Sequence, residues 1–368
     1  MMQEGFAEAR RPPGLSRAAF DFLEGGAGDE ITLRANESSF RRWSLVPRAC
    51  VDVAEVDAST QLDGRPVGVP YFVAPTGAHR LFHPDAEFAT AAAAMAADVP
   101  YATSTAASVS MEEIARVAPA ERWFQLYCFK DRDVVADMVR RAESSGYRAL
   151  IVTVDAPVLG IRRRDIRNRF SVGPEIRWAN LEPYGVASLS DADDGSTVAR
   201  YFAEQIDPSV TWRDIERIVD STSLPVWIKG VLRPDDAERA RDSGASGVYV
   251  SNHGGRQLDR VPATIDVLSS IVDRVGADVD VVVDGGVRSG ADVVTAIALG
   301  ARAVGLGRPP LAALAQGGES AVVEFLQSLR YDIQHILQLL GVPSVQDLDR
   351  SFLTRSPTTA PQFESDTS

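Results

Sequence analysis

The stretch VSNHGGRQLD, residues 250–259, places His253 three residues before Arg256 with two glycines between them. An imidazole can take a proton near neutral pH, and the rigid fork of a guanidinium matches a carboxylate. Together they suit an anionic substrate that must lose a proton, and folding asks for neither residue at this place. Asp155 could stabilise the protonated imidazole if its carboxylate reaches the ring. A second carboxylate clamp could come from the RRRD run at 162–165, whose three arginines the sequence alone does not tell apart. Lysine occurs only as Lys130 and Lys229 among 38 basic residues. Lys130 lies at the start of an expected helix and carries no special reading. Lys229 could be a buried salt-bridge partner, or it could stabilise negative charge on a cofactor ring.

These groups need elements that bring them to one place. Eight short apolar runs recur along the chain, at 69–75, 99–104, 122–127, 149–155, 225–230, 247–252, 279–286 and 303–308, and amphipathic segments stand between most of them. Near-continuous apolar strands alternating with such helices indicate a parallel sheet, and eight of them predict a closed (β/α)8 TIM barrel within the α/β class. An open nucleotide-binding sheet is disfavoured, because no strand is followed by GxGxxG and neither lysine lies in a GK[ST] loop. Residues 1–65 are expected to form an N-terminal helical cap with a helix near SRAAFDFLEG, residues 66–345 the barrel and residues 346–368 a C-terminal tail, all in one domain spanning 1–368. A long irregular loop, 171–200, follows strand four, and its DADDGS cluster lacks the spacing of a calcium loop.

In such a barrel the strand C-termini converge on the face where chemistry occurs. Gln125 and Tyr127 on strand three share a face, as do Thr153 and Asp155 on strand four, and Lys229 ends strand five. Strand seven runs into DGGVRSG and strand eight into GLGRPP, each with an arginine, Arg288 and Arg308. The loops after strands seven and eight are where barrels commonly bind phosphate.

Composition narrows the partners. With 38 basic and 51 acidic residues and a formal charge of −13, most of the surface repels nucleic acid and anionic membranes. No apolar run approaches a spanning helix, and the first 30 residues lack a signal-peptide pattern, so a cytoplasmic protein is expected. Cys50 and Cys128 are expected to be ordinary buried thiols, and no metal site is indicated.

Taken together, APTG at 74–77, QLY at 125–127, TVDAP at 153–157, LGIRRRDIRNRF at 159–170, IKGV at 228–231, SNHGGRQLD at 251–259, DGGVRSG at 284–290 and GRP at 307–309 resemble the FMN-dependent α-hydroxy acid oxidases and dehydrogenases. The resemblance covers nearly the whole chain and is to members without a fused cytochrome domain or membrane segment. It implies FMN as cofactor, His253 as base and Asp155 as its partner, Tyr127 as a hydrogen-bond donor to substrate, and Arg162 with Arg256 on the substrate carboxylate. It also implies Lys229 beside the N1 and C2 carbonyl side of the flavin, Ser104, Gln125 and Thr153 around the ring, and the backbone of Pro75, Thr76 and Gly77 near N5. Asp284, Arg288, Gly307 and Arg308 would hold ribityl and phosphate, with Ser251 and Gly286 also among the cofactor-binding residues.

Three positions depart from the glycolate-oxidising members. Phe22 replaces a tyrosine, so one hydroxyl contact to the carboxylate is lost; Ala106 replaces a bulky aromatic and opens the substrate pocket; Gly77 replaces an alanine common among the oxidases. The expected activity is oxidation of an (S)-2-hydroxy acid, mandelate-like or otherwise bulky, to the 2-oxo acid, with oxygen or another electron acceptor. A decarboxylating monooxygenase and an inactive flavin-binding member are the alternatives. The resemblance also implies a homo-oligomer, a tetramer.

Overall fold

The computed structural model describes residues 11–12, 14–170, 172, 176–185 and 204–356. Eight parallel strands, β1 (Tyr71–Thr76), β2 (Tyr101–Ser104), β3 (Arg122–Tyr127), β4 (Ala149–Thr153), β5 (Val226–Val231), β6 (Gly247–Val250), β7 (Asp280–Val283) and β8 (Ala303–Leu306), pair in sequence order and close into a barrel through β8 and β1. The expected (β/α)8 barrel is therefore the observed fold.

Strand alternation sorts the residues. Phe72, Trp123 and Trp227, each second in its strand, and Tyr249, third in β6, pack together inside the barrel and fill its floor, with the Trp123 and Trp227 rings stacked 6.1 Å apart. Aromatics this large need small partners. An ideal Cβ on Gly305 would stand 2.1 Å from the Tyr249 hydroxyl, and one on Gly247 would stand 2.3 Å from the Trp227 ring. A hairpin, Thr60–Leu62 with Arg65–Val67, closes the floor with Leu62 and turns on Asp63 and Gly64, both at positive φ. Toward the C-terminal ends the inward positions become Gln125, Thr153 and Lys229. The apolar floor thus carries a polar upper layer.

The helices follow from the same pattern. In the cap, α1 (Arg17–Glu24) starts at Ser16, whose hydroxyl accepts from the Ala19 amide at 3.1 Å, and α2 (Ile31–Phe40) follows. Around the barrel run α3 (Ala86–Ala96), α4 (Met111–Ile114), α5 (Arg132–Ser144), α6 (Arg163–Arg167), α7 (Trp212–Asp220), α8 (Pro234–Asp242), α9 (Thr264–Val275), α10 (Gly290–Ala298) and α11 (Arg308–Leu340), the last broken at Gly317 and Gly318. The late strand Leu353–Arg355 pairs antiparallel with Trp43–Leu45, tying the far end of the chain to the cap.

Cys128 is buried, and burial pushes its thiol up to about 12, whereas Cys50 is exposed. Cys50 lies in an irregular stretch at φ 61°, outside any packed element, which is why the expectation of burial fails there. In the long connection between β4 and β5, the described residues 176–185 pack closely, with Trp178, Asn180 and Leu181 buried. The DADDGS cluster lies outside the described residues. Among the described residues no helix is long and apolar enough to cross a membrane.

Candidate active site

β6 ends at Val250 and the chain turns through Ser251, Asn252 and a single 3-10 turn, His253–Gly255. The side chains of Asn36 in the cap and Asn252 in this turn donate to each other at 2.9 and 2.7 Å, which fixes the loop. His253 sits at φ 58°, a left-handed conformation uncommon for a residue other than glycine, and its amide donates to Ser251 Oγ at 3.1 Å. Its Nδ1 lies 3.0 Å from Asp155 Oδ1. With Nδ1–H given to the carboxylate, Nε2 carries the lone pair. Burial pulls His253 below the ordinary imidazole range, although Asp155 pushes it up. Burial pushes the Asp155 carboxyl up, and the charges of His253 and Lys229 outweigh it, so it falls below the usual carboxylate range.

The approach of Asp155 depends on β5. The register between β5 and β6 shifts at Gly230, which has φ 106°. A Cβ there would stand 2.5 Å from Asp155 Cβ, so the bulge makes room for the carboxylate while leaving Lys229 pointing inward. Lys229 is buried. Its Nζ donates to Ser251 Oγ at 2.9 Å and lies 3.8 Å from Asp284 Oδ2, while Ser251 Oγ donates to Asp284 Oδ1 at 2.7 Å.

The RRRD run resolves by helical geometry. Successive residues entering α6 point in different directions, so Arg163 pairs with Asp29 and Arg164 with Glu30 of the cap, leaving Arg162 to face inward. Arg162 Nε donates to the Arg256 carbonyl at 3.4 Å. Arg256 Nη1 donates to the carbonyls of Phe22 and Gly25 at 2.6 and 2.9 Å. The Phe22 ring lies 4.6 Å from the Arg256 guanidinium and 5.9 Å from that of Arg162, and stacks on Phe170 at 4.5 Å. A phenyl ring here supports both cations through its face. Burial, followed by the charges of Arg162 and Arg308, pulls Arg256 well below the arginine range. Positive charge concentrated out of water asks for an anion.

These groups line one cavity at the C-terminal mouth of the barrel. Phe22, Ala106, Tyr127, Arg162, His253 and Arg256 meet there with Pro75, Thr76, Gly77, Ser104 and Lys229. Asp284, Gly286, Arg288, Gly307 and Arg308 line its other part. Four expected residues stand outside the lining. Asp155 is behind His253, Ser251 is fully buried between Lys229 and Asp284, and Gln125 and Thr153 lie in the layer below. Gln125 Nε2 donates to Thr153 Oγ1 at 3.0 Å, and Ser104 Oγ donates to Gln125 Oε1 at 3.2 Å. Burial pushes the Tyr127 hydroxyl above its ordinary range, so it stays protonated.

At the other end of the cavity, Arg308 donates to the carbonyls of Leu23, Gly25 and Gly254 at 2.9 to 3.0 Å, and burial beside Arg288 pulls it to about 10. Arg288 pairs with Glu37 at 2.7 Å. Sequence reasoning missed Trp178, Leu159 and Phe82 in the lining. The signal for Trp178 was a large aromatic within a stretch read as irregular.

Comparison with known proteins decides the family. A family model described as FMN-dependent dehydrogenase matches residues 13–355. The chain belongs to this family. Among its relatives, an L-lactate oxidase from a Nostoc species is 43% identical over 92% of this chain and 94% of its own. The 2-hydroxyacid oxidase 1 of Homo sapiens is 44% identical over 93% of this chain and 94% of its own. A solved mandelate oxidase with (S)-4-hydroxymandelic acid superposes with a TM-score of 0.88 at 42% identity, covering 93% of this chain and 95% of that one. The enzyme is therefore an FMN-dependent oxidoreductase acting on the CH–OH group of 2-hydroxy acids.

The residues present fit FMN. Among the described residues, the amides of Gly285, Gly286 and Val287 donate no hydrogen bond although all three residues line the cavity, so they are donors without an acceptor. The cavity lining carries five cations, Lys229, Arg162, Arg256, Arg288 and Arg308, and one carboxylate, Asp284, a balance that suits anionic groups.

Proposed function

We propose that the enzyme oxidises a bulky, mandelate-like (S)-2-hydroxy acid to its 2-oxo acid, with His253 as base and Arg162 and Arg256 binding the carboxylate. The observation that carries this reading is His253, backed by Asp155, lining one cavity with the half-buried Arg162 and Arg256. When bound, FMN supplies a two-electron acceptor for the substrate α-carbon. Lys229 would stand beside its ring, the backbone of Pro75 to Gly77 along it, and the amides of Gly285 to Val287 with Arg288 and Arg308 near its ribityl phosphate.

The substrate carboxylate is held between Arg162 and Arg256, which fixes the α-carbon. Tyr127 donates a hydrogen bond to the substrate. His253 Nε2 takes a proton, and Asp155 stabilises the imidazolium that results. The absent tyrosine hydroxyl at Phe22 does not leave the arginines unsupported, because its ring sits under both guanidiniums. A mandelate-sized side chain is favoured by Ala106 in the lining and agrees with the ligand of the mandelate oxidase superposed above.

Gly77 has a packing explanation of its own. A Cβ there would stand 2.6 Å from the Ala106 carbonyl oxygen, so the glycine is not by itself an argument for decarboxylating chemistry. The inactive alternative loses support from the intact pair and both arginines.

Anaerobic titration with glycolate, lactate, both mandelate enantiomers and 4-hydroxymandelate tests the reading directly. Flavin bleaching is expected to be fastest with the (S)-aromatic acids, and no bleaching with any of them would end the proposal. Turnover under air then identifies the product, a 2-oxo acid or a decarboxylated acid.

The pH dependence follows from the neutral form being the base. Protonating His253 blocks the step, so kcat/KM is level above the His253 pKa and falls as pH drops through it, below the ordinary value of about 6.5. Asp155 raises that pKa. The Asp155→Asn variant is therefore expected to move the acid limb to lower pH while its plateau drops by the equivalent of about 1.5–3 kcal/mol, the worth of a hydrogen bond to a charged group. An acid limb that stays in place would separate Asp155 from His253.

A further inference from the structure

Apart from the arginine end, the apolar cavity lining includes a residue that the catalytic reading leaves unused. Trp178 is 6% exposed, and it reaches the cavity from the connection between β4 and β5 rather than from a strand end. Its segment is fastened on both sides. The Ala179 amide donates to the Ala107 carbonyl at 3.2 Å, next to Ala106 in the chain. Asn180, fully buried, donates from Nδ2 to the Ser104 carbonyl at 3.2 Å and accepts at Oδ1 from the Met111 amide at 2.7 Å. Arg141 of α5 donates to the Asn180 carbonyl at 3.0 Å, and Tyr184 donates to Asp137 of the same helix at 2.6 Å. The indole is therefore held on a strap clamped across the end of β2.

We propose that Trp178 is a specificity-determining residue that forms the wall met by the side chain of the substrate, across the space left by Ala106. The inference deepens the reading above, since it assumes that the carboxylate lies between Arg162 and Arg256. With that end fixed and Gly77 packed against Ala106, the neighbourhood of Ala106 and Trp178 is an apolar recess beside the reacting carbon. Ile176 and Leu181 of the same strap belong to the core and provide its packing. Trp178 is the residue of the described strap, 176–185, that lines the cavity.

The test uses the FMN-loaded enzyme and two variants, Trp178→Ala and Trp178→Phe. For each, anaerobic reduction is measured with (S)-mandelate and (S)-lactate, and the flavin spectrum is titrated with the unreactive acids phenylacetate and acetate. A hydrophobic wall is worth about 10- to 200-fold in discrimination. The ratio of mandelate to lactate kcat/KM, and of phenylacetate to acetate affinity, is expected to shift by that order in Trp178→Ala and to be largely restored in Trp178→Phe. Equal losses on all four acids would reduce Trp178 to packing and overturn the proposal, as would unchanged ratios. Should Trp178→Ala fail to fold, Trp178→Leu, which keeps an apolar side chain but removes the indole, takes its place and is judged by the same criterion. Wild-type preference for lactate would overturn the aromatic-substrate reading but not the wall, because the ratio must still move when the indole is removed.

Discussion

The His253→Asn variant is expected to hold FMN and yet bleach with substrate about 10²–10⁴-fold more slowly than wild type, the usual worth of a positioned acid–base group. Asparagine is the right replacement because residue 253 holds φ 58°, which asparagine adopts more readily than glutamine. The backbone of the loop should then stay in place through the Asn36–Asn252 pair, and the Ser251 hydroxyl should still accept from Lys229 and from the amide of residue 253. Flavin content, read from the visible spectrum, is the control for an intact site. Bleaching at the wild-type rate would remove His253 from the chemistry.

Arg162→Met is expected to lower kcat/KM by about 2–5 kcal/mol, the cost of removing one partner from a buried, desolvated charge contact. Methionine keeps the apolar stem against Phe22 without the charge. Because the hydrogen bond from Arg162 to the Arg256 carbonyl is long, at 3.4 Å, and methionine can still pack against Phe22, the melting temperature should stay nearly unchanged. Arg256→Met should differ in this respect. Arg256 also holds the carbonyls of Phe22 and Gly25, so its loss loosens the cap and lowers the melting temperature along with kcat/KM. Steady-state kinetics beside thermal melts separate the two, and similar melting losses in both variants would show that Arg162 is a structural residue.

Much of this site was legible because the barrel makes it so. Strand alternation alone puts Gln125 with Tyr127 and Thr153 with Asp155, and convergence of strand ends brings His253, Lys229 and the glycine-rich turns to one rim. The arginine run was different. Type and spacing could not separate Arg162 from Arg163 and Arg164, since the choice depends on Asp29 and Glu30 of the cap, more than 130 positions earlier in the chain. The same holds for the carbonyls of Leu23 and Gly25, which carry no side-chain signature and yet hold Arg308. Trp178 was hidden because its segment has no helix or strand period, and the clamp that fixes it is made by Asn180 and α5. Cys50 escaped for the opposite reason: a thiol is usually inside, and the irregular stretch around it gives no hint of its exposure.

The pairing of Trp43–Leu45 with Leu353–Arg355 has a consequence for biogenesis. A ribosome releases the chain from its amino end, so Trp43–Leu45 emerges long before the strand that pairs with it. Nascent chains halted short of residue 353 lack that clasp, and the cap is then held by Arg256 and Arg308 on the carbonyls of Phe22, Leu23 and Gly25 alone on this side.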